Sequence, residues 1–454
     1  MTDQVIGDGI SGSTADEIAT SIRALIDRGA LGAGDTLPPV RTLAEQLGVN
    51  RNTTLTAYRL LVQAGLAETR GRAGTVVTDP FREREEEGYA RDSALRDVGD
   101  GNPDPARLPD PAEVRLPPRA PRLYGESTID PGLAEWATRW MEQDQPRPFR
   151  ITVTAGAVDA VERLLAQALT QGDAVALEDP CYLTSISTIR QNGYRALPVD
   201  LDAEGMLPDS LRAALAAGAR AVVCTPRAHN PTGASLTPKR AAKLRAVLAE
   251  YPQVLVIEDD HFAMLARAPY ASVIGAANQR WALVRSMSKA LGPDLRVALV
   301  ASDPETAERL SSRISGGITW VSHLLQRLAH ALLTDPAVQR QIDGASEHYA
   351  AQNRSFVTQL ERFGLTSSSR DGLNLWVDTG TSAAAVHTRL MRRGWIAREG
   401  SSFALEEAAP ATERHLRLTV HGLEDAEMAQ LAADLADAAG LDTGAGRLAD
   451  PRTQ

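Results

Sequence analysis

From Ile151 to Ser302 the chain alternates short apolar runs with amphipathic stretches, and this alternation leaves few folds open. The apolar runs are ITVT (151–154), AVALE (174–178), RALPVD (195–200), AVVCT (221–225), VLVIED (254–259), WALV (281–284) and VALVAS (297–302), each of strand length. Between them, stretches such as AVDAVERLLAQAL (157–169) and PKRAAKLRAVLAEY (238–251) carry helical spacing. Strands alternating with helices predict an α/β domain: a largely parallel sheet covered on both faces, with ligand groups at strand ends.

Four runs end in small or polar residues. ITVT is followed by Ala155, Gly156, Ala157 and Val158, which open a helix whose free N–H groups suit a phosphate. A plain strand-to-helix turn has the same appearance. AVALE leads to Asp179-Pro180-Cys181-Tyr182, where the Tyr182 ring either stacks on a planar ligand or packs in the core. AVVCT leads to PRAHNPTG (226–233), where Asn230 is a donor to a ring oxygen or only part of a turn. VLVIE leads to Asp259, Asp260, His261 and Phe262. Asp259 reads as a helix cap, or as an acid that keeps a pyridine nitrogen protonated and so makes the ring an electron sink.

A fifth end carries RSMSKALGPDLR (285–296), fed by WALV and turning through Gly292 and Pro293. Its one lysine, Lys289, lies between two hydroxyls (Ser286, Ser288) and the guanidinium of Arg296. An amine beside anion-binding groups suits imine formation with a phosphorylated aldehyde, although a lysine taken alone is usually a solvated charge.

Jointly, Asn-Pro-Thr-Gly, the acid at 259 and Ser-x-Ser-Lys followed by Arg resemble the fold-type I enzymes dependent on pyridoxal 5′-phosphate. The resemblance implies Lys289 as the catalytic amine, forming a Schiff base with the cofactor once neutral. It implies a phosphate site made by Ser286, Ser288, Arg296 and the backbone of Gly156, Ala157 and Val158. Tyr182 would stack on the ring, Asn230 approach its phenolic oxygen and Asp259 pair with its nitrogen. That family usually has a tyrosine two or three positions after the acid. This chain has His261 and Phe262 there, so His261 becomes a substitute donor, and the departure weighs against efficient transamination. Tyr124, followed by Gly125, resembles the tyrosine that reaches the neighbouring subunit's phosphate. From about Glu305 the chain is mostly helical, through SHLLQRLAHALL (322–333), with strands at LNLWVDT (373–379) and HLRLTV (415–420), as in the smaller α+β domain of those enzymes. Arg417 in the last strand matches the arginine that holds a substrate or effector carboxylate, an exposed strand arginine being the plain alternative.

The first eighty residues belong to something else. TADEIATSIRALIDRG (14–29) is an amphipathic helix by its spacing. Pro38 and Pro39 open a short helix, Gly48 supplies a turn and Asn50 caps a second helix to about Ala64, before a hairpin from Glu68 to Val77. This order describes a winged helix-turn-helix. Residues 39–75 hold five arginines (41, 51, 59, 70, 72) against two acids (Glu45, Glu68), a local charge of +3 in a chain of net charge −10. Such charge set against phosphates gives salt-dependent DNA affinity, although winged helices also bind proteins. The run LPPVRTLAEQLGVNRNT…AYRLLVQAGLAETRGRAGTVV resembles the GntR-type regulator domain. The resemblance places operator contacts on Arg41, on Asn50, Arg51, Asn52 and Thr53, and in the wing on Arg70, Arg72 and Gly74.

Residues 80–98 (PFREREEEGYARDSALRDV) are mixed in charge and poor in apolar groups, a solvated helix or a tether. The predicted division is therefore a head at 10–79, a linker at 80–98, a large domain at 99–304, a small domain at 305–441 and a disordered tail at 442–454. A GntR-type head on an aminotransferase-like body resembles the MocR-type regulators. Within that group the runs GNPDPARLPD, EDPCYLTSI, TPRAHNPTG, DDHFA, SKALGPDLR and WVSHLLQ are most similar to a regulator of vitamin B6 salvage. The expected function is a repressor, as of a pyridoxal kinase gene, that senses pyridoxal 5′-phosphate at Lys289. The alternative is an aminotransferase of amino acids carrying a regulatory head. The expected partners are double-stranded operator DNA, the cofactor or an amine effector, and a second copy of the chain as a homodimer. No metal site and no membrane contact are expected. Two cysteines, no run of eighteen apolar residues and no leader-like N-terminus point to the cytoplasm.

Overall fold

The computed structural model describes residues 9–28, 30–32, 34–63, 66–69, 74–77, 88, 94–116, 118–367, 371–405 and 410–441. Arg70 and Arg72 of the wing, most of the linker and the tail at 442–454 lie outside the described residues.

In the head, helix α1 (Ala15–Asp27) starts at a capping box between Thr14 and Glu17, which satisfies backbone donors that the first turn leaves open. Helix α2 (Val40–Leu47) ends at Gly48, whose φ of 64° lies in the left-handed region that a side chain resists. Helix α3 (Arg51–Gln63) begins after Asn50, whose side-chain oxygen accepts from the Asn52 N–H at 2.8 Å. Strands β1 (Ala67–Thr69) and β2 (Thr75–Val77) pair antiparallel as the wing. Ile18, Ile22, Leu25, Leu43 and Leu61 form the core, and the buried Tyr58 hydroxyl donates to the Pro38 carbonyl at 2.6 Å.

In the body, β3 (Arg96–Asp97) pairs in parallel with residues 395–396, some three hundred positions on. The large sheet contains β4 (Arg150–Thr154), β5 (Ala174–Asp179), β6 (Arg195–Asp202), β7 (Gly205–Met206), β8 (Ala219–Cys224), β9 (Leu255–Asp259), β10 (Arg280–Ser286) and β11 (Ala298–Ser302). Their order is β4-β11-β10-β9-β8-β5-β6-β7. Strands β5, β8, β9 and β10 are parallel, and β11 runs against both β10 and β4. Burial on both faces explains why these strands read as continuous apolar runs rather than alternating ones. Because the central strands share one direction, Asp179, Cys224, Asp259 and Ser286 end at the same sheet edge, where ligand sites form in such folds. Helices α4 (Ala157–Ala166) and α5 (Pro238–Ala249) are shorter than their predicted spans by a final turn or less.

A second sheet holds β12 (Thr366–Ser367), β13 (Asn374–Asp378), β15 (Arg398–Glu399) and β16 (His415–Thr419) in the order β12-β13-β16-β15, while β14 (Trp395–Ile396) is the partner of β3. Its core packs against the C-terminal helix Asp425–Ala439 through Met428, Leu431 and Leu435. This is a mostly parallel α/β domain with a smaller α+β domain, as the sequence predicts. Among the described residues, no helix is long and apolar enough to cross a membrane.

Candidate functional site

Helix α6 (Ser288–Leu291) follows β10 and carries Lys289 in its single turn. Lys289 is half-buried, and its Nζ donates to the Gly101 carbonyl at 3.1 Å. It opens on a cavity of about 300 Å³ at the shared sheet edge. Val158, Tyr182, Asn230, Asp259, His261 and Arg296 line that cavity, as do Ala157, Ser286 and Ser288. Residues from five segments between Ala157 and Arg296 are thus brought round one amine.

At one end, Gly156 (φ 98°) precedes α4, whose N-terminus has no side-chain cap and so leaves its first N–H groups open. Arg296, itself at a left-handed φ of 49°, donates from Nη2 to the Ala155 carbonyl at 2.8 Å. A Cβ on Gly156 would stand 2.5 Å from that Nη2. Only glycine therefore lets the guanidinium and the uncapped helix end converge. Together with the Ser286 hydroxyl, which accepts from the Ser288 N–H at 3.2 Å, they form a cradle for a dianionic group.

At the other end stands Asp259. Its Oδ1 is sealed from solvent and has no hydrogen-bond partner, a state that a buried oxygen does not hold without cause. Burial, and then the neighbouring Asp260 charge, push its carboxyl up to about 7. A cationic N–H delivered into the cavity would satisfy that oxygen and favour its ionised form. Phosphate cradle, amine and orphaned acid together suit pyridoxal 5′-phosphate. Tyr182 and His261 are half-buried beside the cavity.

Arg417 and Tyr124 stand elsewhere. Arg417 is completely buried, so the reading as an exposed strand arginine is set aside. It donates to Asn230 Oδ1 at 3.1 Å and to the Gly99 carbonyl at 2.5 Å, with its guanidinium over the Phe403 ring. It lies behind Asn230 rather than in the cavity wall. Tyr124 is 87% exposed, tilts against Trp320 at 5.4 Å between ring centres, and does not line this chain's cavity.

Several site residues escaped the sequence reading. Glu178 lines the cavity, and burial pushes it up to about 8, while burial pulls His229 down to about 3. The two side chains lie 3.4 Å apart, and burial favours the uncharged form of each. Asp260 is gripped by Arg227 at 2.8 and 2.9 Å and by Arg285 at 3.0 Å, and Arg285 also pairs with Asp144. The visible signal was an acid ending the apolar run AVALE.

In the head, Arg41 is exposed and its Nε pairs with Glu45 at 3.1 Å. Arg51 and Asn52 are exposed and Thr53 half-buried in the first turn of α3, next to the Asn50 cap. Gly74 (φ 84°) leads into β2.

Residues 117–435 match the family model described as aminotransferase class I and II, and residues 14–77 match the bacterial regulatory proteins of the gntR family. The chain is 48% identical over 428 residues to the vitamin B6 salvage pathway transcriptional repressor PtsJ of Salmonella typhimurium, covering 94% of this chain and 98% of that protein. It is 28% identical over 306 residues to the pyridoxine biosynthesis transcriptional regulator PdxR of Corynebacterium glutamicum, covering 64% and 66%. Among solved structures, LysN, an α-aminoadipate aminotransferase from Thermus thermophilus, superposes with a TM-score of 0.65 at 22% identity, over 76% of this chain and 92% of that one.

Proposed function

Because this chain belongs to the MocR-type gntR-family regulators, with a class I and II aminotransferase body, we propose that it is a transcriptional repressor of vitamin B6 salvage that senses pyridoxal 5′-phosphate at Lys289. A pyridoxal kinase gene is the expected target. The observation that carries the reading is Asp259, which lines the same cavity as Lys289 and has an orphaned Oδ1, in a chain so similar to a B6-salvage repressor.

Bound pyridoxal 5′-phosphate supplies an aldehyde to the amine and a pyridine ring that draws electrons once protonated. The chain's own residues do the rest. Arg296, Ser286 and the α4 N-terminus hold the phosphate, Asp259 holds the proton at the ring nitrogen, and Tyr182 covers a ring face. Asn230 orients toward the ring with Arg417 behind it. In the head, Arg51 and Asn52 read base edges in a major groove, and Arg41 meets phosphate. We assign the head to 10–79, the linker to 80–98, the two body domains to 99–304 and 305–441, and the chain to a cytoplasmic homodimer in which Tyr124 faces the partner's site.

The test is gel retardation of the promoters upstream of its own gene and of nearby kinase genes, with and without pyridoxal 5′-phosphate. Wild type should show a cofactor-dependent operator affinity that Lys289→Ala abolishes. Equal affinity in all four conditions overturns the sensing function. A second reading, aminotransferase activity, has support in the intact set of Lys289, Asp259 and Asn230; sustained turnover with many amino donors would favour it.

A further inference from the structure

We infer that the backbone strap at 98–102 is a latch through which occupancy of the cavity is relayed to the linker. This deepens the sensing function and rests on it. Five successive carbonyls of the strap each have a separate partner. Val98 accepts from the Thr419 N–H at 2.7 Å, Gly99 from Arg417 Nη2 at 2.5 Å and Asn102 from His421 Nε2 at 2.8 Å. Those three bonds fasten the strap to β16 and to His421, two positions beyond it. The remaining two are of another kind. Gly101 accepts from Lys289 Nζ at 3.1 Å, and Asp100 accepts from the N–H of Gly88, within the linker, at 2.9 Å. The amine that captures the cofactor and the only described residue of 80–93 therefore hold adjacent carbonyls of one strap.

The strap is built for this closeness. A Cβ on Gly99 would stand 2.6 Å from the Arg398 nitrogen, and Gly101 sits at a φ of 69°. Neither position accepts a side chain without strain. The Gly101 N–H is held in turn by Thr419 Oγ1 at 3.0 Å, so Gly101 is held at its N–H by β16 and at its carbonyl by Lys289.

Capture of an aldehyde removes one of those two holds. When the Nζ amine condenses with it, a C=N bond forms, and the aldehyde oxygen leaves as water with both amine hydrogens. The nitrogen then has no N–H to direct at Gly101. An amino acid whose carboxylate takes Arg417 would remove the Gly99 hold as well. Each event loosens a peptide group next to the Asp100–Gly101 peptide, whose carbonyl holds Gly88. Occupied and empty cavities thus differ in how firmly the linker is fastened, which is the differential interaction that sensing requires.

Hydrogen exchange followed by mass spectrometry on the full chain tests the latch, with pyridoxal 5′-phosphate as the probe and imine absorbance recorded on the same samples. Peptides spanning Gly88 and Gly101 should exchange about fivefold faster with cofactor, the effect of losing one ordinary hydrogen bond. Lys289→Ala should exchange fast with or without it. Thr419→Val, which leaves Lys289 in place, should loosen Gly88 without cofactor while still giving the imine absorbance. Unchanged or slower exchange at Gly88 in cofactor-loaded wild type overturns the latch alone. Absence of imine absorbance in wild type overturns both the latch and the sensing function.

Discussion

Asp259 and Asp260 are neighbours at the end of β9, yet three arginine contacts fall on one and none on the other. Asp260 is fully buried with Arg227 and Arg285 in contact, whereas Asp259 Oδ1 has no hydrogen-bond partner. Asp260 serves the fold, and Asp259 is the acid proposed to meet the ligand. Asp259→Ala should therefore weaken pyridoxal 5′-phosphate binding by about tenfold or more, the loss of a charge-assisted bond, with little loss of stability. Asp260→Ala should destabilise the chain by about 3–5 kcal/mol, because it leaves buried guanidinium groups uncompensated. Absorbance titration and denaturant melts separate the two outcomes.

The buried carboxyls set a pH dependence. Burial pushes Glu178 up to about 8, and Asp259 and Glu258 up to about 7. The folded chain then keeps protons that the unfolded chain has released, so ligand-free stability falls as pH rises toward these values. His229, held down to about 3, acts oppositely, since below its ordinary value near 6.5 the unfolded chain binds the extra proton. Above about 6.5 that opposition ends and the acids alone decide. Thermal melting of the ligand-free chain should move down between pH 6.5 and 8, and Glu178→Gln should reduce the drop. A midpoint that stays level or rises over this window would contradict the account.

Gly156→Ala tests the phosphate cradle. The added Cβ would meet Arg296 Nη2 at 2.5 Å and force the guanidinium off the Ala155 carbonyl. Affinity for pyridoxal 5′-phosphate should fall by roughly tenfold to a hundredfold, as expected when charged hydrogen bonds are lost. Affinity for pyridoxal, which lacks the phosphate, should change far less. An equal loss for both vitamers would place the phosphate elsewhere.

The central strands were legible because burial on both faces writes them as unbroken apolar runs, and their predicted bounds differ from the observed ones by about two residues. Residue pairs at Lys289, Asp259 and Arg296 were legible as types at spacings. The two-residue strands β3, β7, β12, β14 and β15 were not, being too short to show a period. Nor was the burial of Arg285 and Arg417, because arginine reads as a surface residue until its partners are known, and Asp144 and Asn230 are each over a hundred positions away. GNPDPARLPD showed only turn chemistry, since backbone carbonyls carry no letter in a sequence.

Arg51 and Arg41 test the proposed division between base reading and phosphate contact. Arg51 lies exposed in the first turn of α3, so Arg51→Ala should reduce operator binding by about 1–3 kcal/mol and relax discrimination between operator and unrelated DNA. Arg41 is 85% exposed beside Glu45. Arg41→Ala should weaken both DNAs alike and lower the salt slope by about 1. Retardation at several salt concentrations distinguishes these patterns.

His261 is the residue proposed to limit how far the body acts as an enzyme. It lines the cavity with Asn230, at a position where the resembling enzymes have a phenol within a residue or so. A phenol donates one directed O–H, whereas an imidazole changes its donor and acceptor atoms with protonation. Phe262, the next residue, is buried and packs with its ring 6.3 Å from that of His261, so it offers no hydroxyl in compensation. His261→Tyr should leave cofactor affinity within a few fold and raise single-turnover conversion of an amino acid by about tenfold, a modest share of what positioned proton donors contribute. Following the cofactor absorbance after mixing with an amino donor measures it. A wild type as fast as the variant or faster would show that His261 already serves as a competent donor.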